Sequence, residues 1–470
     1  MKINRLFAIV ALAVCAATAS AQYNMPTQTF TYDKPYAVEK IKAPKGKKVK
    51  NVILMIGDGM SLMHVYTAWT ANRGKLWLEN ATATGLSKTW ATNKLVTDSG
   101  SGGTSLATGV KTCYHAVGVD PEGKPLTSLV DVAKELGKDA GIAVTCRLWD
   151  ATPCDFCCHN IDRDKEEELV GDYPASGVNF VFGGGAEKFA NRKDGRDIFN
   201  ELRVKGYHVS RSLDDFFAYD TNSNIFAVPY DKDTPLPDER GDLLARASMK
   251  GIDLMNRNKK GFFMMIEGSQ LDDYGHFNQL DMLMKETLDF DQTIGKVMKW
   301  AAEDGETLVV VTADHETGGL TLVNGDKNEG RVECCFSTRD HSGAMVPVYA
   351  FGPGAEHFTG IYENTDVFKR ITFFLTNVLI KLLNKLWRRC PAAVASRLTG
   401  TYKLLGWRET SATYLIQINE ENDINPYSLA LCGACASAEP HIFWFAALQT
   451  ALQEHVCNAD TRGGEHVPHG

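Results

Sequence analysis

The sequence predicts an α/β fold, with a mostly parallel central sheet covered by helices on both faces. Three observations carry the prediction. Unbroken apolar runs occur at 52–56 (VILMI), 142–145 (IAVT), 262–266 (FFMMI) and 308–312 (LVVVT), and runs of this kind mark strands buried on both faces. Helical patterns alternate with them from residue 51 to about residue 371, as βαβ units do. Polar residues stand just after the runs, among them Asp58, Asp150, Glu267 and Asp314. Ligands of open α/β sheets bind beyond the carboxyl ends of the strands, so the chemistry is expected along one edge of one sheet.

The elements follow in order. Lys2 and Arg5, an apolar run over 6–17 and Ala19-Ser20-Ala21 read as a signal peptide over 1–21, leaving a chain that begins at Gln22. The run falls short of the ~20 residues a spanning helix needs, so the protein is expected to be exported, to a periplasm or outside the cell. Residues 22–50 are polar, with Pro and Lys, and read as a leader onto the first strand. Residues 128–136 read as a helix, 178–182 as a strand entering Gly183-Gly184-Gly185, and 270–303 as a long amphipathic pattern. Residues 346–351 form a last strand before Gly352-Pro353-Gly354. The α/β punctuation then fades. Residues 371–387 are apolar then basic, and the rest of 372–470 reads as irregular. This extension is either a basic amphipathic helix touching a membrane or partner, or a read-through or frame-shifted tail; the lack of a sustained period favours the second.

Composition is that of an ordinary globular protein, with 44% hydrophobic and 23% charged residues. A net charge of -8 argues against a general nucleic-acid surface. Of the 12 cysteines only Cys15 falls in the expected signal peptide. Export permits disulfides, and no paired Cys-x-x-Cys with a long spacer suggests structural zinc; buried thiols or local disulfides are expected.

The chemistry-bearing residues fall into short segments. Thr97-Asp98-Ser99-Gly100-Ser101 leads into a helix expected over 105–110. A hydroxyl at a helix start can meet a phosphate held there, although Ser and Asp also serve as plain caps. Asp272 and His276 are four apart and share a helical face, a chelating arrangement, with Glu267 at the end of the strand before them. Asp314-His315 ends the strand 308–312, where such a pair would be costly without a partner. Asp58 lies between Gly57 and Gly59, which suits close backbone approach. Asp150-Ala-Thr152-Pro153 follows another apolar run, and Arg163 offers a bidentate fork for phosphate, in a charged run that also reads as a solvated helix start. His341 in His-Ser-Gly is unremarkable by itself.

Together these segments resemble the alkaline phosphatase family over residues 50–371, through Gly-Asp-Gly, Thr-Asp-Ser before Thr-Gly-Val-Lys (108–111), Asp-Ala-Thr-Pro, Glu-Gly-x-x-x-Asp-x-x-x-His, Thr-Ala-Asp-His (312–315) and His-Ser-Gly. The resemblance implies two zinc ions and one magnesium. Asp272, His276 and His341 would hold the first zinc, and Asp58, Asp314 and His315 the second. Asp150, Thr152 and Glu267 would hold the magnesium, with Asp58 bridging. Ser99 would be the nucleophile of a phosphoserine mechanism and Arg163 the phosphate clamp, acting on small phosphate monoesters. A homodimer is a further implication. Imidazole with carboxylate suits zinc and an all-oxygen set suits magnesium. Asp273 departs from the family pattern, which often has Lys or His there. The short span from His315 to His341 implies a reduced crown insertion. The sulfatase string Cys-x-Pro-x-Arg is absent, and related phosphodiesterases usually lack the magnesium ligands and the arginine. A non-catalytic metal- or phosphate-binding role is disfavoured by the intact Ser99 and Arg163.

Overall fold

The computed structural model describes residues 26–44, 48–190 and 192–387, and three strands of the tail, with side chains described as far as residue 376. The expected signal peptide lies outside the described residues. A first compact unit runs to Asn377 and a second begins at Val378.

The first unit is built on a sheet of ten strands. In chain order the strands of this unit are β1 (Gln28–Thr31), β2 (Asn51–Gly57), β3 (Ala83–Lys88), β4 (Asp139–Arg147), β5 (Phe180–Gly184), β6 (His208–Ser210), β7 (Ile225–Ala227), β8 (Phe262–Gly268), β9 (Thr307–Thr312), β10 (Glu316–Thr317), β11 (Leu320–Asp326), β12 (Arg331–Phe336), β13 (His341–Ser342), β14 (Val346–Phe351) and β15 (Gly360–Glu363). The large sheet has the order β15-β3-β14-β9-β2-β8-β4-β5-β7-β6. Its pairings are parallel except those of β14, which runs antiparallel to both β3 and β9.

Every residue of β2, β8 and β9 is buried, because helices cover both faces of the central strands and leave no solvent side for a polar alternation. The principal helices are α1 (Leu62–Ala71), α2 (Ser99–Thr108), α3 (Ala151–Asp155), α4 (Leu243–Met255), α5 (Gln270–His276), α6 (Leu280–Asp304) and α7 (Thr365–Trp387). The pattern read over 270–303 is thus two helices, interrupted at Asn278, whose φ of 53° lies in the left-handed region. α6 buries Leu283, Met284, Leu288, Ile294 and Val297 against the sheet.

The span read as a leader is tied into the fold. β1 pairs with β12, Ile41 is buried, and the Tyr36 hydroxyl donates to Asp291 at 2.6 Å. β1, β12 and β11 form a separate antiparallel sheet; β11 and β12 occupy the span from His315 to His341 expected to hold a reduced crown. The described cysteines Cys113, Cys146, Cys154, Cys157, Cys158, Cys334 and Cys335 are free thiols, all but Cys113 buried; no disulfide occurs among the described residues.

The tail, read as irregular, contains strands β16 (Tyr402–Glu409), β17 (Ala412–Asn419) and β18 (Leu431–Cys432) in an antiparallel sheet. No helix of the described residues is long and apolar enough to cross a membrane.

Candidate active site

The carboxyl ends of β2, β4, β8 and β9 lie side by side, and each carries part of one polar cluster. Asp58 follows β2 and donates its backbone N–H to Gly268 at the end of β8 (3.0 Å). Gly59 after it has φ of 71° and lies so close to Thr317 that no side chain fits, which is why a glycine is needed there. Asp150 caps α3 after β4 and Thr152 lies inside that helix. Glu267 belongs to β8 itself, and α5 beyond it carries Asp272 and His276. Asp314 and His315 follow β9. His341 reaches the same place from β13, where it pairs with Thr317 of β10.

Ser99 opens α2, earlier than the helix expected over 105–110. Asp98 is the cap of that helix and accepts from the Ser101 backbone (3.2 Å) and hydroxyl (2.7 Å). Ser101 is thereby committed to Asp98, whereas the Ser99 hydroxyl lies 3.1 Å from His315 Nε2. That contrast separates the two serines, which sequence order alone could not do by geometry.

Three ligand groups converge. His315 Nε2 lies 3.1 Å from Asp314 and 3.4 Å from Asp58. His276 Nε2 lies 3.2 Å from Asp272 and 3.1 Å from His341 Nε2, and His341 lies 3.5 Å from Asp272. The outer ring nitrogens are engaged elsewhere: His276 Nδ1 at 2.7 Å from the Arg339 carbonyl, His341 Nδ1 at 2.7 Å from the Thr97 carbonyl. Such carbonyl contacts select the tautomer that leaves Nε2 free as an acceptor for a metal. The third group is oxygen-only. Asp58 Oδ1, Thr152 Oγ1 and Glu267 Oε1 are buried without a hydrogen-bond partner, as is Asp314 Oδ2. Buried oxygens are rarely left without partners, so this set fits cations.

The electrostatics agree. Burial pushes the Asp58 carboxyl well up, helped by Asp314, Asp272 and Glu267. Burial likewise raises Glu267, with Asp150 and Asp314 adding to it. Burial opposes ionisation of Asp272, yet His276 and His341 outweigh it and hold that carboxyl well below the usual range. Crowded carboxylates without counter-charge are what a bound dication would neutralise.

Asp150 differs from the other carboxylates of the cluster. Its Oδ1 accepts from Arg163 Nη2 (2.8 Å) and its Oδ2 from Arg147 Nη2 (2.8 Å). Both oxygens are occupied by guanidinium groups. Arg163 also donates to Asp98 Oδ2 at 3.2 Å, which ties the fork to the start of α2. Arg147, Asp233, Thr317 and Asp340 are neighbours of the site that the sequence reading passed over. Asp340 sits with His276 and His341, and Thr317 donates to Asp272. Asp98 was legible as a cap; Arg147 ends β4 and Thr317 lies in β10, Asp233 and Asp340 lie in loops, and none of the four carries a local signal. Asp273 is pushed up to about 7 by burial and by Asp272, Asp150 and Asp233, so it belongs to the same acidic surroundings.

The model of the family "alkaline phosphatase" matches residues 49–332 and 322–377. Alkaline phosphatase 4 of Bacillus subtilis is 32% identical over 435 residues, covering 73% of this chain and 91% of that protein. The alkaline phosphatase of the Antarctic bacterium TAB5 superposes with a TM-score of 0.67 at 36% identity, over 70% of this chain and 99% of that one. A variant of the TAB5 enzyme, similar at 35% identity with the same TM-score over 72% of this chain and 99% of that one, carries Mg in its M3 site. The chain belongs to the alkaline phosphatase family, a family of phosphomonoester hydrolases.

Proposed function

We propose that this protein is an exported alkaline phosphatase that hydrolyses small phosphate monoesters through a phosphoserine on Ser99. One observation supports this above the others. Beside the Ser99 hydroxyl at a helix start lies His315, which meets the buried oxygens of Asp58 and Asp314, while the buried oxygens of Thr152 and Glu267 are left without partners. Asp272, His276 and His341 would hold one zinc, and Asp58, Asp314 and His315 a second. Thr152 and Glu267, with Asp58, would hold a magnesium. Asp150 would support that ion from its place between the two arginines. Bound dications would lower the pKa of the nucleophile and stabilise the leaving oxygen.

The chain's own groups do the rest. Ser99 Oγ, its proton released to solvent, attacks phosphorus in line, the ester P–O bond breaks, and the departing alkoxide takes a proton from solvent to leave as the alcohol. Water then attacks the phosphoserine from the vacated side, the Oγ–P bond breaks, and inorganic phosphate leaves. Arg163 clamps two phosphoryl oxygens through both steps with its fork, and the amino end of α2 favours the anion. A homodimer is the assembled form the family resemblance suggests.

Turnover of a chromogenic phosphate monoester, with and without a chelator, tests the reading. Chelator-sensitive turnover is expected, as is covalent ³²P trapped at low pH in the wild type and lost in Ser99→Ala. Turnover insensitive to chelation, or label on another residue, would refute it.

A further inference from the structure

We propose that Arg147, anchored by Asp233, is a positioning residue for phosphate binding: it fixes Asp150 and, through Asp150, aims Arg163. The proposal rests on the reading of Arg163 as the phosphate clamp.

The geometry is a chain of alternating charge. Asp233 Oδ1 accepts from the Arg147 backbone nitrogen and Asp233 Oδ2 from Arg147 Nη1, both at 3.1 Å. Arg147 Nη2 donates to Asp150 Oδ2, while Asp150 Oδ1 accepts from Arg163 Nη2 and from the Ala151 backbone, all three at 2.8 Å. Arg163 Nη1 ends the chain on Asp98 Oδ2 at 3.2 Å, at the cap of the helix that begins with Ser99. The Arg147 guanidinium also lies 4.6 Å over the Trp149 ring, which limits its swing. The side chains of Arg147, Asp150, Asp233 and Arg163 are between 23% and 28% exposed, so solvent does not fully screen the links.

A carboxylate has two oxygens and a softly hindered terminal torsion. With Arg147 in place each Asp150 oxygen serves a different guanidinium, so the carboxylate plane is set from both sides. Without Arg147, Oδ2 is unpartnered. The carboxylate is then free to turn and take Arg163 with both oxygens, the bidentate geometry arginine prefers. That draws the fork away from Asp98 and from a bound phosphate. The loss of one positive charge beside a dianion acts in the same direction. Arg147 touches neither substrate nor a reacting atom in this scheme; it acts through Asp150.

The test uses the metal-loaded enzyme, a chromogenic monoester and inorganic phosphate as inhibitor. Arg147→Ala is expected to raise both KM and the phosphate inhibition constant about tenfold, the effect of one lost charge-assisted hydrogen bond, with kcat changed by less than about twofold. Asp233→Asn should move both constants the same way by less. The double variant should be no worse than Arg147→Ala, because both substitutions cut one chain. Arg147→Lys should be intermediate, since an ammonium lacks the fork to span both carboxylates. Bound metal, measured by elemental analysis, should stay at the wild-type level. If Arg147→Ala and Arg147→Lys leave the phosphate constant unmoved while Arg163→Ala raises it, Arg147 is no positioning residue. Should Arg147→Ala fail to fold, Arg147→Lys and Asp233→Asn decide: folded proteins with wild-type phosphate affinity overturn the proposal. If Arg163→Ala itself leaves the constant unchanged, the clamp reading falls first and takes this inference with it.

Discussion

Removing metal should destabilise the folded protein as well as stop turnover, and the size of the effect follows from the cluster. Asp58 Oδ1, Thr152 Oγ1, Glu267 Oε1 and Asp314 Oδ2 are buried without hydrogen bonds. Leaving one buried polar group unsatisfied costs about 1–3 kcal/mol; Asp58 Oδ1 and Asp314 Oδ2 keep a contact with His315 Nε2 at 3.4 and 3.1 Å, so Thr152 Oγ1 and Glu267 Oε1 alone cost roughly 2–6 kcal/mol, which ligation of dications removes. Unfolding entropy of ~2.1 cal/mol/K per residue over about 350 residues converts this to a fall in Tm of roughly 3–8 °C. The expected course is a lower Tm with chelator, recovered best by zinc and magnesium together, since an imidazole set and an oxygen set prefer different ions. Recovery should scale with the logarithm of free metal, as ligand linkage requires. Differential scanning fluorimetry against a metal titration measures both. A Tm that does not move on chelation would refute the idea that these oxygens await cations. Full recovery of activity by calcium alone would refute the zinc sites.

Four further outcomes are expected. Ser99→Ala should abolish monoester turnover while bound metal survives; if Ser101→Ala does this instead, the nucleophile is misassigned. Asp273→Lys should lower the phosphate inhibition constant, because it replaces an acid by a cation near the dianion site; an unchanged constant would place Asp273 away from substrate. Burial opposes ionisation of Asp98, but Arg163 and the hydrogen bonds from Ser101 and His115 hold its carboxyl at about 2, below the usual carboxylate range. A depressed carboxylate stabilises the fold above its unfolded pKa and loses that contribution as pH falls through its folded one, so about 2 kcal/mol should vanish between pH 4 and pH 2; Asp98→Asn should flatten this limb of a pH-denaturation curve, and an unchanged limb would contradict it. We propose that the catalytic portion ends near Asn377. A chain cut after residue 371 loses the buried Phe374 and Leu375, at about 1.5–3 kcal/mol each; it should melt below one cut after residue 377, whose turnover should equal that of the full chain.

The strands and the site separate cleanly by what each needed. Runs such as VILMI and LVVVT have no polar alternation, and only a strand covered on both faces tolerates that, so 52–56 and 308–312 were readable as buried strands before any pairing was known. Their carboxyl ends, and so Asp58 and Asp314, followed. Glu267, Asp272 and His276 were readable because their spacing within one strand–helix unit is local. β3 was not read, since its sequence ATGLSK is neither long nor apolar, and its place beside β14 is earned through pairing with distant residues. The tail strands escaped notice for a similar reason: their pairing, not their composition, defines them. The choice of Ser99 over Ser101 became physical only when Asp98 was seen to bind the Ser101 hydroxyl. Arg147 and Asp233, separated by 86 positions, carry no mutual signal in a single sequence. Local order therefore determined the strand ends and the ligand types, because those depend on residues a few positions apart. Tertiary folding decided which oxygens are left without partners and which arginines share Asp150, because both depend on groups that only the closed sheet brings within hydrogen-bonding distance.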